Sequence, residues 1–201
     1  NSNSSLQKNL RIAGMALDFD NNLWLSNSQD AVPLSLKKVD GTWQSFSFPG
    51  LISPNAAIGN VIVDSYNQKW IVLQNGGGLV VFDDGGTLSS TADDKAKAIK
   101  IVDGYEGPHN LDVQCITEDL DGTIWMGTEK GVAVIYSPGS VFTDANPVAQ
   151  QILIEENGVT QYLLVTEIIT SIVVDGANRK WIGTQNGGVF LMSADGSQQL
   201  F

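Results

Sequence analysis

The sequence predicts an all-β protein assembled from β-propeller blades, four units of mainly four-stranded antiparallel sheet. One phrase recurs four times, aligned on Trp24, Trp70, Trp125 and Trp181, with an aspartate six positions before each ring: Asp18, Asp64, Asp119 and Asp175. The spacings between these tryptophans are 46, 55 and 56 residues, a period suited to stacked sheets. Between them, short apolar runs alternate with Asp-Gly and Asn-Gly turns, and no stretch holds a convincing helical period.

The expected domain is a single propeller region, 1–201, with blades at about 1–50, 51–104, 105–157 and 158–201. The third unit shows the pattern best. An apolar run over 113–119 leads through Leu120-Asp121-Gly122-Thr123 into Ile124-Trp125-Met126-Gly127-Thr128. A second turn, Glu129-Lys130-Gly131, then opens Val132-Ala133-Val134-Ile135-Tyr136. The second and fourth units repeat this through Gln74-Asn75-Gly76 and Gln185-Asn186-Gly187, whereas the first replaces the glycine turn by Ser26-Asn27-Ser28-Gln29-Asp30-Ala31. Outer fourth strands are expected at 42–48, 97–102 and 150–154, with another beginning at 198–201. Loops are expected at 88–96 and 136–149, with a short helical turn as an alternative over 91–98. The six prolines fall at strand ends or between strands, where a missing N–H does least harm.

Each repeated aspartate ends an inner strand, where its carboxylate can accept N–H bonds from the following turn. Each tryptophan is expected to fill the space between neighbouring blades. Recurrence in every unit argues for packing, since a catalytic group would appear once. Lys69 and Lys180 precede Trp70 and Trp181, and their stems are expected along the sheet edge.

Composition narrows the function. The 201 residues are 42% hydrophobic and 16% charged, as in an ordered globular protein. A net charge of −11 argues against nucleic acid as a partner. The single cysteine, Cys115, cannot form an internal disulfide and reads as an inert core residue. Asp119-Leu120-Asp121-Gly122-Thr123 begins like a calcium loop, but the twelfth position is Lys130 where a bidentate Glu is required. It reads as a hairpin turn, and no metal or cofactor is expected. The glycine runs lack the following helix and Lys-Ser/Thr of a phosphate loop. His109 has no identifiable partner for a triad and reads as a loop residue. Asp83-Asp84 and Asp93-Asp94 read as solvated turn acids. No catalytic residue is expected, and the chain reads as a non-enzyme.

The phrase over Asp119–Val132, Asp-x-Asp-Gly-x-Ile-Trp-Met-Gly-Thr-x-x-Gly-Val, resembles the two-component-regulator propeller repeat common in Bacteroidetes; so does 175–189. A narrower resemblance covers the C-terminal half. Ile169-Thr170-Ser171-Ile172, the run from Val174 to Thr184 and Ser193-Ala194-Asp195-Gly196 look like PorZ-type proteins, and the opening Asn1-Ser2 adds to it. These resemblances imply an exported protein of the periplasm or cell surface of a Gram-negative bacterium. Its role would be a type IX secretion component or, alternatively, the ligand-sensing propeller of a hybrid histidine kinase. Partners would be proteins or a glycan, anionic lipopolysaccharide among them, bound without membrane insertion. The turns after the tryptophan strands supply the candidate binding rim: Gln74, Asn75, Glu129, Lys130, Gln185 and Asn186. The chain also reads as an arc of a larger propeller, whose bare end faces would pair with another copy.

Overall fold

A computed structural model describes residues 11–103, 107–156 and 158–200. The Asn1–Ser5 opening, the His109 side chain and Phe201 lie outside what it describes. The structure is all-β, built of antiparallel propeller blades, and the described residues contain only one helical turn, the 3-10 turn Pro138–Ser140. The chain divides into two compact units. The first runs to Asn75 and resumes over Leu79–Ala98, and the second comprises Gly76–Gly78 and everything from Ile99 on.

In the first unit, β1 (Ile12–Leu17), β2 (Leu23–Asn27), β3 (Leu34–Lys37) and β4 (Trp43–Phe46) form one antiparallel sheet in chain order. The next sheet follows the order β5 (Ile58–Val63), β6 (Lys69–Leu73), β7 (Gly78–Asp83) and the start of β8 (Lys95–Asp103). β5 packs across β1 and β2. Gly14 makes that approach possible, because a Cβ there would fall 2.7 Å from the backbone nitrogen of Val61. Trp24, Phe46, Phe48 and Phe82 form the aromatic centre, with the Trp24 and Phe46 rings 5.2 Å apart and Phe46 and Phe82 5.0 Å apart.

The second unit contains β9 (Gly107–Asn110), then the sheet β10 (Val113–Glu118), β11 (Ile124–Thr128), β12 (Gly131–Ile135) and β13 (Val148–Gln151). The hairpin of β14 (Leu153–Glu156) and β15 (Val159–Tyr162) follows, then the sheet β16 (Ile169–Val174), β17 (Lys180–Thr184) and β18 (Val189–Met192). β16 packs across β10 and β11. Gly127 is the counterpart of Gly14, since a Cβ there would lie 2.5 Å from Ile169 Cγ2. An outer strand begins after β18, where Gln199 bridges back to Met192.

Four differences from the sequence reading bear on the strands and the repeat. His109 and Pro108 sit on strand β9, not in a loop, because residues 107 and 110 pair with β8. Extended backbone starts at Lys95, so no helical turn forms over 95–98. The β14–β15 hairpin follows the outer strand where the repeat pattern gave no separate element. The fourth difference is energetic. Lys69 and Lys180 do not lie along the sheet edge; both are fully buried.

The repeat explains why a lysine can be buried there. Each aspartate divides its oxygens between two tasks. Oδ1 accepts the N–H groups two and four residues on, at 2.8–3.0 Å: Asp20 and Asn22 for Asp18, Tyr66 and Gln68 for Asp64, Asp121 and Thr123 for Asp119, Ala177 and Arg179 for Asp175. Oδ2 accepts the indole N–H of its own tryptophan, at 2.9, 2.8, 2.8 and 3.2 Å in chain order. The turn between them holds a residue at positive φ: Asn21, Asn67, Gly122 and Asn178.

A lysine from the following blade then lies over the indole. Lys69 Nζ is 4.6 Å from the Trp24 ring centroid and 2.8 Å from Asp84 Oδ2. Lys180 Nζ is 4.5 Å from the Trp125 centroid and 2.8 Å from Asp119 Oδ2, and it also donates to the carbonyl oxygens of Asn178 and Ala194. Burying an ammonium costs several kcal/mol; a close carboxylate, carbonyl acceptors and a desolvated ring together offset this. Asn178 completes the clasp, accepting from Leu120 N at 3.0 Å and donating to Asp121 Oδ2 at 2.7 Å.

Lys180→Met leaves the Asp119 charge buried without its cation. It is expected to lower the unfolding free energy in urea by about 3 kcal/mol. The Asp119→Asn, Lys180→Met double variant should lose less than the sum of the two single losses.

Candidate functional site

The six rim residues sit on turns with one shared geometry. Backbone N–H groups of Gln74, Glu129 and Gln185 donate to the carbonyls of Ala57, Asp112 and Ile168, each the residue just before its blade's innermost strand. Each turn therefore lies at the end of its blade opposite the aspartate turn. Ser28, bonded to the carbonyl of Arg11, holds that place in the first blade, so the departure in sequence keeps the same tie. Gln74 and Asn75 belong to the first unit and are exposed, with Asn75 at φ 59°. In the second unit Glu129, Gln185 and Asn186 are exposed and Lys130 is half-buried.

Hydrogen bonds tie the second unit's turns to their own surroundings. Glu129 Oε1 already accepts from Asp112 N at 3.3 Å, and the Lys130 carbonyl accepts from Gln151 Nε2 at 2.7 Å. Gln185 and Asn186 stand on a turn closed by Thr184, whose hydroxyl donates to the Gly188 carbonyl and accepts from Gly187 N. The rim presents polar side chains on short hydrogen-bonded turns.

The acids give the same answer. Burial pushes the Asp119 carboxyl upward, but bonds from Lys180, Thr123 N–H and Trp125 together hold it below the usual range. Asp18 is likewise lowered: burial opposes the shift, and bonds from Asn22, Trp24 and Asp20 outweigh it. Asp175 is brought down to about 2, its burial overcome by bonds from Arg179, Ala177 and Trp181. Such carboxylates are fixed as anions and suit no proton-transfer role near neutrality.

Asp94 behaves in the opposite way. Burial raises its pKa, and the carboxylates of Asp93, Asp84 and Asp83 raise it further. The fold thus brings together the two acidic pairs that sequence separates, though Asp84 is committed to Lys69 and Asp93 accepts from Thr87. The Cys115 thiol is pushed up to about 11 by burial, far from a reactive thiolate. Among the described residues no group of three or more His, Cys, Asp or Glu could hold a metal ion. No helix among them is long and apolar enough to cross a membrane.

A further feature escaped the sequence reading: a cleft of about 490 Å³ in the second unit, walled by the β14–β15 hairpin, residues 163–167, β18 and residues 197–199. The hairpin lies outside the four-strand repeat, and no residue pattern announced it.

No protein-family model and no curated protein sequence matches the chain. Solved structures do. PorZ of Porphyromonas gingivalis, described as an essential bacterial surface component of the type IX secretion system, aligns with a TM-score of 0.84 at 29% identity. That alignment covers 95% of this chain and 27% of PorZ. The extracellular domain of a putative hybrid two-component system from B. thetaiotaomicron aligns with a TM-score of 0.65 at 22% identity, over 97% of this chain and 22% of its own. Virginiamycin B lyase from Staphylococcus aureus aligns with a TM-score of 0.64 at 14% identity, over 96% of this chain and 56% of its own. The last two show the fold alone. The chain spans about a quarter of the length of PorZ and of the sensor domain.

The lowered aspartates predict an acid limit to stability. A carboxylate whose folded pKa lies below its unfolded value of about 3.9 contributes stability above that value and loses it as pH falls through the folded pKa. Denaturant midpoints should stay level from about pH 7 to 5 and drop between about pH 4 and 2. Asp175→Asn should flatten the lower part of that drop.

Proposed function

We propose that the chain is a non-enzymatic propeller module of an exported bacterial cell-envelope protein, a PorZ-like component tied to type IX secretion. The carrying observation is the alignment with PorZ, which combines the TM-score of 0.84 with 29% identity over nearly the whole chain. The chemistry agrees. The repeated aspartates are saturated with donors, the thiol is inert, and the rim turns present uncharged amides, one acid and the half-buried Lys130. Under this reading the partners are secretion-system proteins or an envelope glycan, anionic lipopolysaccharide included, met at the periplasm or cell surface through the rim.

A second reading rests on the alignments with extracellular domains of Bacteroides two-component systems at 21–22% identity. There the propeller would sense a ligand for a histidine kinase. In-frame replacement of Gln74, Glu129 and Gln185 by alanine in the native gene separates the two. The PorZ-like reading expects stable protein and impaired export of type IX cargo. Normal export with altered transcription of a kinase's target genes would support the sensor instead.

The end blades bear on self-association. On the fourth blade Val173, Trp181 and Val189 are 60%, 43% and 66% exposed, while on the first Met15 and Leu17 are 63% and 59% exposed. Apolar strand faces of this kind favour pairing with another copy. Light scattering of the 201-residue chain should show mass rising with concentration, and a strict monomer at high concentration would rule the pairing out.

A further inference from the structure

We infer that the cleft beside the β14–β15 hairpin is a binding site for an uncharged, hydroxyl-rich ligand, an oligosaccharide of neutral pyranose rings. None of the six rim residues lines the cleft, and the site does not depend on their role.

Its volume, about 490 Å³, falls in the range of small-molecule sites. The base is apolar: Leu163 and Met192 are buried, and half-buried Phe190 offers a ring against which the C–H face of a sugar can lie. Around it stand groups that both donate and accept, the exposed amides of Gln198 and Gln199 and the hydroxyl of Thr166, while the Ser197 hydroxyl, which donates to Asp195 Oδ1 at 2.9 Å, is left as an acceptor. A sugar hydroxyl is both donor and acceptor, so such a lining matches it group for group. Glu155 and Glu167 add two acceptors, and no lysine or arginine lines the cleft. With two carboxylates and no cation in its lining, the cleft would repel an anionic glycan.

The walls are built before any ligand arrives. Leu164, a branched residue, is held at φ 52°, a costly conformation that persists only where surroundings fix it. They do so here. Gly131 N donates to the Glu167 carbonyl at 3.0 Å, Leu163 N to Ile152 at 2.8 Å and Glu167 N to Leu164 at 2.9 Å. Gly131 itself lies at φ 82°, and a Cβ there would clash with the Leu163 carbonyl oxygen. On the opposite wall Gln198 N donates to Ser193 Oγ at 3.0 Å, and Gln199 pairs with Met192. Strained, over-determined backbone beside a mixed polar and apolar cavity is the arrangement of a preorganised ligand site.

Calorimetric titration of the 201-residue chain with maltopentaose, cellopentaose, mannopentaose, chitopentaose and, as the anionic control, pentagalacturonate tests this. At least one neutral pentasaccharide should bind saturably and more tightly than pentagalacturonate. Thr166→Trp, an exposed position that fills the cleft, should abolish that binding, and Glu155→Gln should weaken it about tenfold. Both variants should melt with the unaltered chain. The proposal is overturned if no neutral pentasaccharide binds, if Thr166→Trp leaves binding intact, or if pentagalacturonate binds as well as the neutral sugars. Loss of secretion function in the rim variants would leave each of these outcomes unchanged, so the two readings fail separately.

Discussion

The aspartate that ends each inner strand is the constraint on which the blades depend. One oxygen closes the tight turn by accepting two backbone N–H groups, and the other fixes the indole of the next strand. The turn and the largest core side chain are therefore set by a single carboxylate. Each fully buried indole removes on the order of 200 Å² from water, roughly 5 kcal/mol at 25 cal/mol per Å². That gain requires the indole N–H to be satisfied, because an orphaned buried donor returns about 1–3 kcal/mol of it. The carboxylate supplies the acceptor at the one place where the ring can fill the gap between sheets.

A buried carboxylate needs its own compensation, and the blades meet that need in different ways. In the second unit Lys180 reaches from the fourth blade to Asp119 and Trp125 of the third. In the first, Lys69 reaches from the second blade to the Trp24 ring but pairs with Asp84 of its own blade, leaving Asp18 to the amide of Asn22. Asp175 has Arg179 from its own turn, at 2.7 Å. The blades that reach back read Asn67-Gln68-Lys69-Trp70 and Asn178-Arg179-Lys180-Trp181; the blades they reach read Asn22-Leu23-Trp24 and Thr123-Ile124-Trp125. Asparagine in the left-handed turn does what glycine cannot. It tolerates the backbone and still carries a side chain that bonds the preceding turn, as Asn178 does at Leu120 and Asn67, at 3.5 Å, does at Phe19.

Much of this was legible in the sequence because it recurs. The strand-turn-strand order around each tryptophan, the outer strands at Trp43–Phe46 and Lys95–Asp103 and the start of another near Gln199 follow from alternation and turn residues, whereas the outer strand expected at 150–154 runs instead over Val148–Gln151. Burial of Lys69 and Lys180 did not, since a lysine normally signals solvent, and only the fold shows that a ring of the preceding blade and a close carboxylate await it. The convergence of Asp83, Asp84, Asp93 and Asp94 was equally hidden, because it is created by a loop folding back. The cleft was invisible for a related reason. Its walls come from a hairpin, a strained turn and an outer strand that share no motif.

That last point bears on where activity can reside in a protein of this design. In a repeat fold the recurring residues answer to the recurring neighbour, and here their polar atoms are already spent on it. Asp119 has no acceptor capacity left for a substrate once Asp121, Thr123, Trp125 and Lys180 are bonded. Whatever the chain recognises must therefore be read by residues outside the phrase. Two classes qualify: the short turns at the blade ends, whose geometry repeats while their side chains differ, and the insertion after β13, which occurs once. The turns are shaped by the fold and vary only at their tips. The insertion adds a hairpin, holds a leucine at positive φ and borders a cavity. A structural account of the repeat explains the turns completely, but it gives no reason for that strained leucine or for the open space it borders.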